Sequence, residues 1–259
     1  MVAQPRFDAA DDSWPTGVSV SPPLAVVRES PAAASAPPVP WRTSVVHWLA
    51  RLLFGLLSRR VVTGTELIPR DGPFLLAFNH LGLLDGPLLA SVLPRRDVSA
   101  IVTAEFRRRP LTRLVIEAGG GVWIGKGVGS RGALTAALRL LGEGRVVAIA
   151  PEGRISLTGA LEAAKPGPVF LATQAGVPII PVAITGTESA ARDLWRLRRP
   201  RLTVRFGEPF CLPTPCPGDR KTRRQAESDQ LMGRLAGLLP PAYRGVYGSS
   251  TAATTTDAA

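Results

Sequence analysis

Cysteine is nearly absent: Cys211 and Cys216 are the only two among 259 residues. A Pro-rich turn separates them, and no second Cys or His pair lies nearby. Neither a zinc site nor a disulfide framework fits that pattern, so two ordinary thiols of a reducing cytoplasm and no metal are expected. Aromatic residues make up only 6% of the chain, and no basic stretch is interleaved with the stacking rings of a single-strand nucleic-acid platform. The first ten residues lack a basic-then-apolar run, which argues against a secretory signal. The glycine runs at 119–121 and 142–144 match neither phosphate-loop spacing and read as turns. No Gly-x-Ser-x-Gly elbow is present, which argues against an ordinary lipase. Acidic residues are the minority, 20 against 31 Lys and Arg, for a net charge of +11. Such a balance favours an anionic partner. With stacking aromatics and binding motifs missing, no nucleic acid is expected and an anionic phospholipid surface takes its place.

What is present divides the chain into four. Residues 1–40 are rich in Pro, Ala and Ser without an apolar period, and read as a disordered leader. Residues 41–60 turn abruptly apolar, with Trp48 and a row of leucines interrupted or bracketed by Arg42, Arg51, Arg59 and Arg60. This falls short of the roughly 20 residues of a spanning helix. It fits an amphipathic helix lying at a membrane interface, although periodicity alone does not separate that from a helix packed on the domain. Residues 61–240 alternate strand-like and helix-like runs, and residues 241–259 read as a flexible, low-complexity tail. Strands are predicted at 74–78, 98–102, 121–124, 145–149, 179–184 and 202–206, with helices at 86–93, 106–117, 131–141, 169–175 and 220–239. The fold class is α/β, a single domain with a mostly parallel sheet flanked by helices.

In open parallel sheets ligands bind beyond the carboxyl ends of the strands. Three unusual segments fall there: Asn79-His80 after the first strand, Gly125-Lys126 after the third, and Pro151-Glu152-Gly153-Arg154 after the fourth. A base, a cation and a carboxylate with a guanidinium would share one crevice. His80 precedes Asp85 by five residues in an otherwise apolar or glycine stretch. A carboxylate on one imidazole nitrogen fixes the tautomer and leaves the other nitrogen as a base, and no nucleophilic Ser is needed if the substrate brings its own hydroxyl. Asn79 could orient this loop. Arg154 offers a fork matched to phosphate, and Lys126 and Lys165 add point charge. Glu152 either holds Arg154 or the loop, or contacts substrate. The second histidine, His47, lies in the amphipathic helix without an acidic neighbour and reads as an interfacial side chain.

The ordered motifs Asn-His-x4-Asp, Gly-Gly-Val-Trp-Ile-Gly-Lys, Pro-Glu-Gly-Arg-Ile-Ser and Val177-Pro178-Ile179-Ile180-Pro181-Val182 resemble the phospholipid/glycerol acyltransferase family, over about 62–208. The resemblance implies that His80, supported by Asp85, deprotonates the hydroxyl of a lysophospholipid such as 1-acylglycerol-3-phosphate. That hydroxyl would attack the thioester of acyl-CoA or acyl-carrier protein, with no cofactor and no covalent enzyme intermediate. It implies further that Gly121 to Lys126 and the Glu152-Gly153-Arg154 turn hold the acceptor's phosphate, and that Val177 to Val182 helps shape the acyl site; a peripheral place on the cytoplasmic face of the membrane is expected. Two departures stand out. Gly125-Lys126 replaces the family's common Asp-Arg, and Arg154 and Ile155 occupy the Thr and Arg positions of Glu-Gly-Thr-Arg. The second variant looks like that of relatives acylating lysophosphatidylethanolamine.

Overall fold

The structure is a computed structural model that describes residues 39–103, 113–114, 116–117, 119–124, 129–212 and 220–248. The expected leader (save its last two residues), the tail from 249, Gly125-Lys126 and most of the expected helix 106–117 lie outside those residues. Among the described residues the chain runs α1 (Trp41–Leu57), β1 (Arg59–Thr63), β2 (Leu75–Phe78), α2 (Asp85–Val92), β3 (Val98–Thr103), β4 (Val122–Ile124), α3 (Gly129–Gly142), β5 (Val146–Ile149), α4 (Gly167–Ala175), β6 (Ile179–Thr185), α5 (Thr187–Trp195), β7 (Arg201–Phe206) and α6 (Arg220–Leu238).

Seven strands form one sheet in the order β1-β7-β6-β2-β5-β3-β4. All pairings are parallel except β6 with β7. The central strands are near-continuous apolar runs because both faces are covered. On one face Leu76, Phe78, Val146, Val182 and Ile184 pack with Leu88 and Leu89 of α2 and Ala190 of α5. On the other, Leu75, Ala77, Val147 and Ile179 meet α3, α4 and Leu231 of α6. Consecutive connections therefore diverge. β2 leads into α2 on the first face, whereas its neighbour β5 leads into α4 on the second. The gap between the carboxyl ends of β2 and β5 is the topological switch point, where a crevice opens in such sheets.

Two elements went unread in the sequence. β1 pairs with β7, and its Arg59 and Arg60 belong to a strand instead of the end of the preceding helix. α5 is short and polar, with Ala190 as its buried apolar residue. The expected tail is also too long at its start. Residues 241–248 form two 3-10 turns, and Tyr243 and Tyr247 pack against Met232, Leu235 and Leu239.

α1 has inverted polarity. Thr43 and His47 are buried, while Trp41, Val45, Trp48, Leu49, Leu52, Leu53, Leu56 and Leu57 are exposed. The helix packs along α2 and sends Phe54 toward the core. His47 is thus no interfacial side chain. Burial first, then the positive charges of Arg96 and Arg51, lower its pKa, and neither ring nitrogen has a hydrogen-bond partner. No helix among the described residues is long and apolar enough to cross a membrane.

Candidate active site

His80 follows β2, and the tight turn after it brings Asp85 back beneath it at the start of α2. His80 Nδ1 lies 2.7 Å from Asp85 Oδ2. The same oxygen accepts the amides of Leu81 at 2.7 Å and Gly82 at 2.8 Å. Asp85 Oδ1 accepts the hydroxyl of Thr187 at 2.5 Å. Asp85 is fully buried, 0% exposed. Such a carboxylate persists only when donors surround it, and the amino end of α2 adds a favourable dipole. With Nδ1 donating to Asp85, the imidazole directs Nε2 outward, and its side chain keeps 26% of its surface open. A base oriented by a buried acid is the outcome.

The backbone of His80 is held on both sides. Its N–H donates to Glu152 Oε1 at 3.2 Å, and its carbonyl accepts the Ser156 amide at 2.7 Å. Glu152 Oε2 accepts the Glu162 amide at 3.0 Å. Both oxygens are thus committed to backbone donors, and the residue is 3% exposed. Its carboxyl is raised above the usual carboxylate range by burial, which outweighs the amide donors from Glu162 and His80. Glu152 is therefore a brace under His80, which fits the loop-holding role among those the sequence leaves open for it. Asn79 holds the start of this loop in place, the role its position beside His80 suggests. Its Nδ2 donates to the Ile184 carbonyl at 2.8 Å and its Oδ1 accepts the Ile184 amide at 2.7 Å, so it pins the end of β2 to β6 from a site 2% exposed.

The turn after β5 carries the cations. Gly153 has φ +69°, and a Cβ there would lie 2.9 Å from Lys165 Cδ, so glycine suits both the left-handed backbone and the lysine stem laid over it. Lys165 is exposed, its amide donating to the Pro151 carbonyl at 2.8 Å. Arg154 donates through Nε at 2.9 Å and Nη2 at 2.5 Å to a single oxygen, Glu162 Oε2. The carboxyl of Glu162 sits below its ordinary range, chiefly through the Leu157 amide, with Arg154 assisting against burial. The expected phosphate fork therefore already carries a counter-charge.

Gly121 does not join the crevice. Strand register carries Leu76 through Ala148 to Ala100, beside the Ile101–Val122 pair, so Gly121 stands level with mid-β2 on the far edge strand. That is about 13 Å short of the level of His80 along the strands. Lys126 lies outside the described residues. Thr187 was overlooked in the sequence. It opens α5 just beyond β6, after Gly186, whose φ of +89° and close approach to the Arg201 carbonyl allow the sharp turn. The strand-end rule that singled out His80 applies equally to this position.

The acyltransferase family model matches residues 59–185. A 1-acyl-sn-glycerol-3-phosphate acyltransferase of Borreliella burgdorferi is 25% identical over 144 residues, 55% of each chain. A lyso-ornithine lipid O-acyltransferase of Pseudomonas aeruginosa is 33% identical over 147 residues, 56% of this chain and 55% of that protein. The chain thus spans little more than half the length of these two curated relatives. The crystal structure of the 1-acyl-sn-glycerophosphate acyltransferase PlsC from Thermotoga maritima superimposes with a TM-score of 0.56 at 26% identity, covering 73% of this chain and 79% of that one. The matched region contains the His80–Asp85 pair, its Glu152 brace and the strands that set them, and on these grounds the chain belongs to the acyltransferase family.

Proposed function

We propose that this protein moves a fatty acyl chain from acyl-CoA or acyl-carrier protein to the free hydroxyl of a lysophospholipid, 1-acylglycerol-3-phosphate in the first instance. The observation that carries the reading is the His80–Asp85 pair, buried on its acid side and open at Nε2, at the switch point of the sheet. Nε2 takes the acceptor's hydroxyl proton as that oxygen attacks the thioester carbonyl. Asp85 stabilises the imidazolium, which returns the proton to the departing thiolate when the carbon–sulfur bond breaks. The ester forms directly, without a covalent enzyme intermediate, a cofactor or a metal. Arg154 and Lys165 would face the acceptor's head group.

A second acceptor class has an observation of its own. Glu162 neutralises Arg154, which favours an acceptor whose head group also bears a cation, as lysophosphatidylethanolamine does. The outward apolar face of α1 supports work at a membrane surface, which we place on the cytoplasmic side, with residues 59–248 as the catalytic domain. The test is mass spectrometry of products from the full chain supplied with mixed acyl donors and mixed lysolipids. Diacyl product is expected, and His80→Ala should lower turnover by about 10²- to 10⁴-fold. An unchanged rate in that variant would overturn the mechanism, whereas no diacyl product from the wild-type chain would favour a catalytically idle membrane scaffold.

A further inference from the structure

α5 ends in an unusual way. The Leu197 amide donates to the Leu194 carbonyl at 2.9 Å and the Arg198 amide to the Asp193 carbonyl at 2.9 Å. These two bonds make a Schellman turn with Leu197 at its left-handed position. Glycine is the usual occupant there, yet Leu197 adopts φ +55° and is the one non-glycine residue with positive φ among the described residues. The strain is not offset by packing, because Leu197 is 97% exposed and Trp195 beside it 90% exposed. Exposed arginines at 192, 196, 198, 199 and 201 surround the pair. Asp193, the single acid within this stretch, accepts from Ser189.

The turn is tied to α1. Arg199 Nη2 donates to the Gly55 carbonyl at 2.9 Å and the Ser58 carbonyl at 3.1 Å, and the Arg59 amide donates to Pro200. These bonds tie the segment just after Trp195 and Leu197 to the end of α1, where Leu52, Leu53, Leu56 and Leu57 are exposed. The other end of α5 is Thr187, hydrogen-bonded to Asp85. One short helix thus joins an apolar, arginine-ringed tip to the catalytic carboxylate.

We propose that Trp195 and Leu197 form a wedge that enters an anionic lipid bilayer, with the surrounding arginines on the lipid phosphates, as a second membrane contact continuous with α1. Apolar tips flanked by arginine match the boundary between acyl chains and charged head groups, where tryptophan is favoured and arginine pairs with phosphate. The strained leucine is explained by what it does outside the protein. The inference rests on the membrane-surface reading above and adds to it the element that points the crevice toward the bilayer.

The test is co-sedimentation of the full chain with vesicles of phosphatidylcholine alone or mixed with phosphatidylglycerol. The Trp195→Ser/Leu197→Gly double variant should bind the mixed vesicles about tenfold or more weakly. It should retain its turnover on a short-chain lysolipid dispersed as monomer. Leu197→Gly alone should raise the melting temperature by a few degrees, since glycine relieves the left-handed strain, while weakening vesicle binding. A Leu53→Ser/Leu56→Ser variant serves as the α1 comparison. If that variant loses binding and the wedge variant does not, the wedge is overturned and the membrane reading stands. If neither loses binding, the membrane reading falls with it. A wedge variant that binds vesicles normally but no longer self-associates would mark the tip as a contact between copies of the chain, which also overturns the proposal. Vesicle binding does not depend on His80, so the acyl-transfer chemistry stands or falls separately.

Discussion

The two sides of the crevice are built differently. On the base side, Asp85 accepts from four donors, Asn79 is spent on Ile184, and Glu152 is spent on His80 and Glu162, all out of solvent. On the cation side, Lys165 and Arg154 are exposed, and the one salt bridge is a contact in water. A buried network permits a single arrangement and loses heavily when one member is removed. An exposed ion pair contributes little and rearranges readily. Position of His80 is therefore rigid, whereas under the proposed function head-group choice would fall to side chains that can be exchanged without disturbing it.

Breaking the rigid side at its least obvious member should have the largest effect of the substitutions that spare His80 itself. Thr187→Val keeps the shape but leaves Asp85 Oδ1 buried without its donor. We expect a loss of about 1–3 kcal/mol in urea unfolding and about a tenfold lower kcat, with KM for the acyl donor little changed. Equal stability and full turnover in the variant would show that Thr187 plays no part in positioning.

Glu152→Gln should have an intermediate effect and a pH signature. Glutamine can accept only one of the two amides, so the variant starts less stable than the wild type. Because burial raises the Glu152 carboxyl in the folded state, the unfolded chain loses its proton first as pH climbs above the ordinary carboxylate range. Wild-type stability contributed by this group is thus full below that range and declines as pH passes through the raised value, whereas glutamine does not titrate. The stability gap between the two proteins should narrow from pH 4 toward neutrality. A gap that widens over the same window would contradict the burial argument.

The smallest effect belongs to the exposed side. Glu162→Gln releases Arg154 and should lower KM for an anionic lysolipid by about two- to threefold, with kcat and melting temperature nearly unchanged. Added salt should erase the gain. Measuring lysophosphatidate against lysophosphatidylethanolamine sharpens the comparison, because only an acceptor lacking its own cation should benefit.

The strands from β2 to β6 were legible because a sheet covered on both faces writes itself as largely apolar runs, and β7 because its buried Leu202, Val204 and Phe206 alternate with more exposed residues. β1 was not, since Arg59-Arg60-Val61-Val62-Thr63 sits on an edge and its arginines read as the end of the apolar helix. α5 escaped because one small residue, Ala190, supplies its buried face. Within the site, the His80–Asp85 pair spans five residues and could be read locally. The partners that make it rigid could not, for Asn79 meets Ile184 across 105 residues, Thr187 meets Asp85 across 102, and His80 meets Glu152 across 72. Sequence spacing marks which residues could touch along one turn, whereas pairings of that range are set by the order in which strands are laid into the sheet.

That order has a consequence for how the enzyme is made. β2 lies between β5 and β6, both of which leave the ribosome long after it. By residue 85 the nascent chain already holds its base and its acid, yet the clamp on His80 awaits Glu152, and the last donor to Asp85 awaits Thr187. A chain halted anywhere before α5 carries His80 and Asp85 without that last donor. The set of donors around Asp85 is completed only with the helix that bears Trp195, while β7 and α6 are still to come.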